Sequence, residues 1–120
     1  MTAARRPTNV NELAVCINNV VNTLLRDIME KPAWAAADAV AAMVGAECGA
    51  RVAATGNIAV VKFVLDALRT GVGEPRFTIM RPRGETKLVI DIYATENTVV
   101  VIIRDEPIPY VVIATLPAPL

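Results

Sequence analysis

The sequence predicts an α+β domain, with a three-helix N-terminal part followed by a four-stranded antiparallel β-meander. Three observations carry that prediction. Apolar residues recur at helical spacing as far as about residue 71. From Arg76 onward the period falls to two and β-branched residues dominate. The joints between the later apolar runs are short and rich in Pro, Gly, Asn and Asp. At 120 residues the length suits a single domain spanning 1–120 with one core. Its helical part covers about 9–71 and its β part about 76–116.

The first helix is announced by Asn9 followed by Glu12, the spacing of an N-cap and its returning partner. Apolar residues follow at Val10, Leu13, Ala14, Ile17, Val20, Val21, Leu24, Leu25 and Ile28, and the helix should end near Lys31. Asn11, Asn18 and Asn22 form a polar stripe on its other side, read as an exposed face. Pro32 suits the first turn of a second helix, where a missing N–H costs nothing. That helix is expected to run on through "AWAAADAVAAMVGAECGARVAA", and its small residues leave room for close packing on two sides. A third helix is capped by Asn57 and stopped by Gly71, with Ile58, Val61, Val64, Leu65 and Leu68 as its apolar positions. Four strands follow at Phe77–Met80, Lys87–Tyr93, Thr98–Arg104 and Tyr110–Leu116. "TVVVIIR" is apolar on both faces, so the side of the sheet away from the core must also be covered. The first helix, a sister subunit or a larger complex could supply that cover.

Hydrophobic residues make up 54% of the chain and charged ones 20%, and mean hydropathy is +0.46. That is more apolar than a core of this size requires, which points to surface that meets other subunits or copies of itself. Twelve Lys and Arg balance twelve Asp and Glu, so no global field gathers polyanions and any nucleic-acid contact must be local. Nine of the twelve cations are Arg, a bias that suits a GC-rich or thermophilic source and says nothing direct about function. The start lacks an apolar segment behind its arginines, and the uncharged stretch from Pro107 to Leu120 is short and broken by prolines. No membrane association and a cytoplasmic location are expected.

There is no histidine, and there are two cysteines. Ser/His/Asp and Cys/His catalysis and ordinary zinc sites are therefore absent. "GVGEPR" precedes a strand and lacks a following Lys–Ser/Thr pair, so it is not a phosphate loop. No metal or cofactor is expected. Cys16 and Cys48 lie among apolar neighbours and are read as small buried residues rather than a disulfide, with a bridge reserved for a hyperthermophilic source.

Two local charge excesses of opposite sign adjoin: Asp91, Glu96, Asp105 and Glu106 face only Arg104, and in the hairpin "RFTIMRPRGETK" the four cations Arg76, Arg81, Arg83 and Lys87 face only Glu85. These four, with Arg5 and Arg6 on the N-terminal arm, are the candidate phosphate contacts. The first and third turns of a meander lie at the same end of the sheet. Arg81 and Arg83 are thus within reach of Asp105 and Glu106, which would silence part of the patch.

A helical half containing "ATGNIAVVKFVLDALR", followed by a small β half in a neutral, Ala- and Val-rich chain, resembles the small subunit of archaeal type I-A CRISPR effector complexes. The resemblance implies a non-enzymatic subunit of an RNA-guided antiviral defence ribonucleoprotein, packing on neighbouring subunits and touching nucleic acid weakly. The order of helices before an antiparallel sheet also resembles RelE-like ribonuclease toxins, which would recruit Arg76, Arg81, Lys87, Tyr93 and Tyr110. A self-assembling protein without nucleic acid is the third reading.

Overall fold

Helix α1 (Val10–Ile28) begins where Asn9, in extended conformation, accepts the Glu12 N–H at 2.9 Å. The Glu12 carboxylate in turn accepts from the N–H and hydroxyl of Thr8, one residue earlier than the usual reciprocal pair. Helix α2 (Ala33–Cys48) follows Pro32, whose carbonyl accepts the first helical N–H from Ala36 at 2.9 Å. It stops at Gly49, which takes φ +64°, the left-handed conformation that a side chain disfavours. The computed structural model describes residues 6–105 and 109–117.

Gly49 makes the first departure from expectation. The segment after it does not continue α2 but forms strand β1 (Arg51–Thr55). Helix α3 (Ile58–Gly71) comes next, its first turn capped by Asn57 Oδ1, which accepts from Ala59 and Val60. Strands β2 (Phe77–Arg83), β3 (Thr86–Ala94), β4 (Val99–Arg104) and β5 (Tyr110–Thr115) complete the chain. The fold is α+β with three helices and an antiparallel sheet, but the sheet has five strands rather than four, in the order β1-β5-β4-β3-β2. Ala and Arg are good helix formers, so "ARVAA" carries no strand signal of its own. Pairing with β5, from Arg51 opposite Thr115 to Thr55 opposite Val111, is what extends it.

The register sorts the side chains into two faces. On one, Ile79, Leu88, Ile90, Ile92, Val101 and Ile103 pack with Leu13, Ile17 and Val21 of α1 and Val40 and Val44 of α2. On the other, Val100, Ile102 and Val111 are covered by Val61 and Leu68 of α3. The cover that the third predicted strand demanded therefore comes from α3, while α1 lies on the opposite face. Chain connectivity makes this possible. β1 and β2 are the two outer strands, and α3 crosses the sheet between them.

Gly56, between β1 and α3, is required by packing, because a Cβ there would overlap the Tyr110 ring. The β2–β3 hairpin turns on Gly84 and Glu85, with Gly84 at φ +61°, as the first central position of a two-residue turn demands.

Cys16 and Cys48 form a disulfide across α1 and α2, with Cα atoms 6.0 Å apart, which corrects their expected reading as free buried thiols. Cys48 ends α2 directly above the turn into β1, so the bridge ties that end of the helical hairpin to α1. The residues it joins are 32 apart in sequence, and a closed loop of that length is worth about 3–4 kcal/mol in the chain-entropy model. Urea unfolding with and without reductant should show a loss of that order. Equal midpoints would remove the bridge from the stability of the fold.

Candidate functional site

Alternation along β2 and β3 decides where the hairpin cations go. Arg81 and Arg83 share the face of Phe77 and Ile79, toward α1 and α2, whereas Lys87 lies opposite Pro82 on the α3 face. Arg76 precedes β2 at its other end, about 20 Å from the turn at the strand rise per residue, and its N–H bonds to the Ile92 carbonyl. Arg6 lies against Gly49 at the α2–β1 turn, the sheet end remote from the hairpin turn. Arg5 lies outside the described residues. The five described cations therefore do not line one surface.

Arg83 is engaged inside the molecule. Its Nη1 lies 3.1 Å from Asp105 Oδ2, and both side chains retain only 20% of their exposure. Nη1 makes no aligned hydrogen bond, so this contact is electrostatic. Nη2 donates to the Lys31 carbonyl in the α1–α2 turn. Thr86 Oγ1 completes the cluster by donating to Asp105 at 3.2 Å. The expected leaning of the hairpin toward the β4–β5 turn is thus realised by Arg83. Arg81 instead donates to its own neighbour's carbonyl, Met80 O, at 2.9 Å and stays exposed beside Leu25 and Arg26 of α1 and Glu30 of the turn that follows. Glu106 lies outside the described residues.

The second polar group lies on the α3 face. Asp91, only 6% exposed, accepts from Thr78 Oγ1 at 2.8 Å and from Arg104 Nη2 at 2.9 Å. Each carboxylate oxygen is engaged within the molecule, and the group is almost wholly buried. Tyr93 stands beside this pair. Burial pushes its phenol above the ordinary 10.0, the Asp91 carboxylate adds to the rise, and Arg104 opposes it. A phenol held protonated is a weak nucleophile at neutral pH. Tyr110 lies on the other face, opposite Ile103. The tyrosines and cations that a histidine-free ribonuclease would gather are therefore divided between the two sides of the sheet. Among the described residues no group of three or more His, Cys, Asp and Glu could hold a metal ion. No helix there is long and apolar enough to cross a membrane.

The surface that departs most from ordinary solvated character is α3. Ile58 is 71% and Phe63 74% exposed, and Val60 and Val72 are also uncovered. Ile58 was expected among the core positions of this helix but faces outward. Phe63 opens onto a groove of about 630 Å³ between α3 and the sheet, floored by Val100 and Ile113 and closed by Thr95, Glu96 and Thr98. The sequence signal for this was present in "NIAVVKFVLDAL", where apolar residues run around more than one stripe of the helix.

Two measurements check these assignments. Arg83→Ala should cost about 1.5–3 kcal/mol in urea unfolding, because it leaves Asp105 and the Lys31 carbonyl without their charged partner. Arg81→Ala should stay within about 0.5 kcal/mol. Unfolded Tyr93 ionises near 10.0 while the folded phenol keeps its proton. Its contribution is therefore complete below that pH and is lost as pH rises through the higher folded value. Tyr93→Phe should flatten the decline in stability above pH 10, and an identical decline would contradict the burial.

Compared with known proteins, the chain matches no family model, no curated protein and no solved structure.

Proposed function

We propose that the chain is a non-enzymatic assembly subunit that presents the α3 side of its sheet to protein neighbours. The observation that carries this is the exposure of Ile58 and Phe63, 71% and 74%, on a helix that flanks an apolar groove. Water-facing apolar area concentrated this way marks an interaction surface. The engaged carboxylate of Asp91 and the scattered cations give a reaction no comparable place. A subunit of an RNA-guided defence complex, implied by the resemblance in layout, is the narrower form of the proposal. Two of the residues that carry that resemblance also have local roles, since Asn57 caps α3 and Gly56 admits the Tyr110 ring. Cytoplasmic placement belongs to the proposal too. A bridged intracellular protein fits a hyperthermophile best.

The test is isolation of the tagged chain from its own cells beside the double variant Ile58→Ser, Phe63→Ser. The wild type should retain stoichiometric protein partners that the folded variant loses. Partners retained equally by both would remove α3 from the proposal. Nucleic acid at a fixed ratio to protein in the wild-type sample is what the narrower form requires, and its absence would sink that form alone.

A further inference from the structure

We propose that β1 is a self-pairing edge, so that two copies meet antiparallel along Arg51–Thr55 across a two-fold axis at Ala53 and join their sheets into one of ten strands. The inference deepens the assembly reading by naming one neighbour, a second copy.

A sheet edge leaves a row of backbone N–H and C=O groups that another strand satisfies best. The sheet has two such edges, and they are treated differently. β2 carries Arg81, Pro82 and Arg83 at one end, the residues that ordinarily repel an incoming strand. β1 reads "RVAAT", with no proline, its only charge at its first residue, and Ala53 and Ala54 exposed. Among the described residues it pairs with β5 alone.

The strand is also complementary to itself. Antiparallel pairing about Ala53 sets Arg51 opposite Thr55, Val52 opposite Ala54, and Ala53 opposite Ala53 of the second copy. No like charges face each other, and the axis falls where side chains are smallest. Unlike most extended peptides, a second copy brings matching apolar neighbours on both faces. On one, α2 runs close along β1, with the Cβ position of Gly45 only 3.9 Å from Val52 Cγ2 and with Ala42 and Ala46 uncovered. On the other, Ala53 is the cross-strand neighbour of Ile113, which floors the groove lined by Phe63.

Helix α2 is about 24 Å long and the three layers together about 25 Å deep, so the strip is at most about 600 Å² per copy and about 1,200 Å² in total, with α3 contributing only at its start beside β1. A specific interface needs about 1,000 Å².

The test uses the purified chain alone, which separates it from the isolation of native partners. Sedimentation should give twice the 12.8 kDa of one chain. Ala53→Glu and Ala53→Lys should each sediment as a single chain, since both put like charges directly across the axis. An equimolar mixture of the two should restore the doubled mass, which only folded partners can do. A monomeric wild type, an undisturbed Ala53→Glu dimer or a mixture that stays monomeric would overturn the pairing. Hydrogen exchange of the wild type gives an independent readout. The β1 amides should gain protection as concentration rises, and concentration-independent exchange there would also overturn it. Such a failure leaves the assembly reading intact if partners in native isolates still depend on Ile58 and Phe63.

Discussion

The structure depends on one strand that has no face for water. In β4 every residue from Val99 to Ile103 is buried, and only Arg104 emerges. Burial of a Val or Ile side chain stabilises by about 1.5–3 kcal/mol, but both faces of a sheet must be covered for a strand to gain it from all its residues. The α1–α2 hairpin covers one face. Because the other is equally apolar at Val100 and Ile102, a helix must cross it. The cross-over from β1 to β2 places α3 there. β4 consequently lies third of five strands, and the two strands flanking that cross-over become the edges.

The same arrangement explains why the charges do little outside the molecule. Asp91 stands on the α3 face of β3, next to the apolar rows, and its burial is compensated by Thr78 and Arg104 on the flanking strands. Arg83 spans three elements by reaching the β4–β5 turn and the α1–α2 turn from the end of β2. A guanidinium with five donors can serve both partners, which a lysine could not do in one geometry. These contacts hold the top of the sheet to the helical hairpin and withdraw the most central cation of the basic segment from solvent.

Surface composition then becomes informative about assembly. Two helices cover one face, but a single diagonal helix only partly covers the other, leaving a groove and exposed Ile58 and Phe63. This uncovered area lies along α3 and the sheet face beneath it, where Phe63, Ala67 and Val72 border Ala94, Val100 and Ile113. The apolar excess in the composition thus has a location, and it is not spread evenly over the molecule.

Much of this was legible in the residues. The helix starts at Asn9 and Asn57, the change to period-two pattern after Arg76, the four later strands and the demand for a second cover over "TVVVIIR" are local or nearly local properties. Sequence by itself determined these because caps, turns and alternation act within a few residues. Tertiary structure alone decided the rest. "ARVAAT" becomes a strand because β5 offers a ladder, against its helix-forming composition and with Gly49 as the only local hint. Cys16 and Cys48 meet because α1 and α2 fold back on each other. Four cations that look like one patch are dispersed because alternate residues point to opposite faces and β2 is long. Such outcomes depend on which strands become neighbours, and that is settled by pairing across the whole sheet rather than by any segment's own preference.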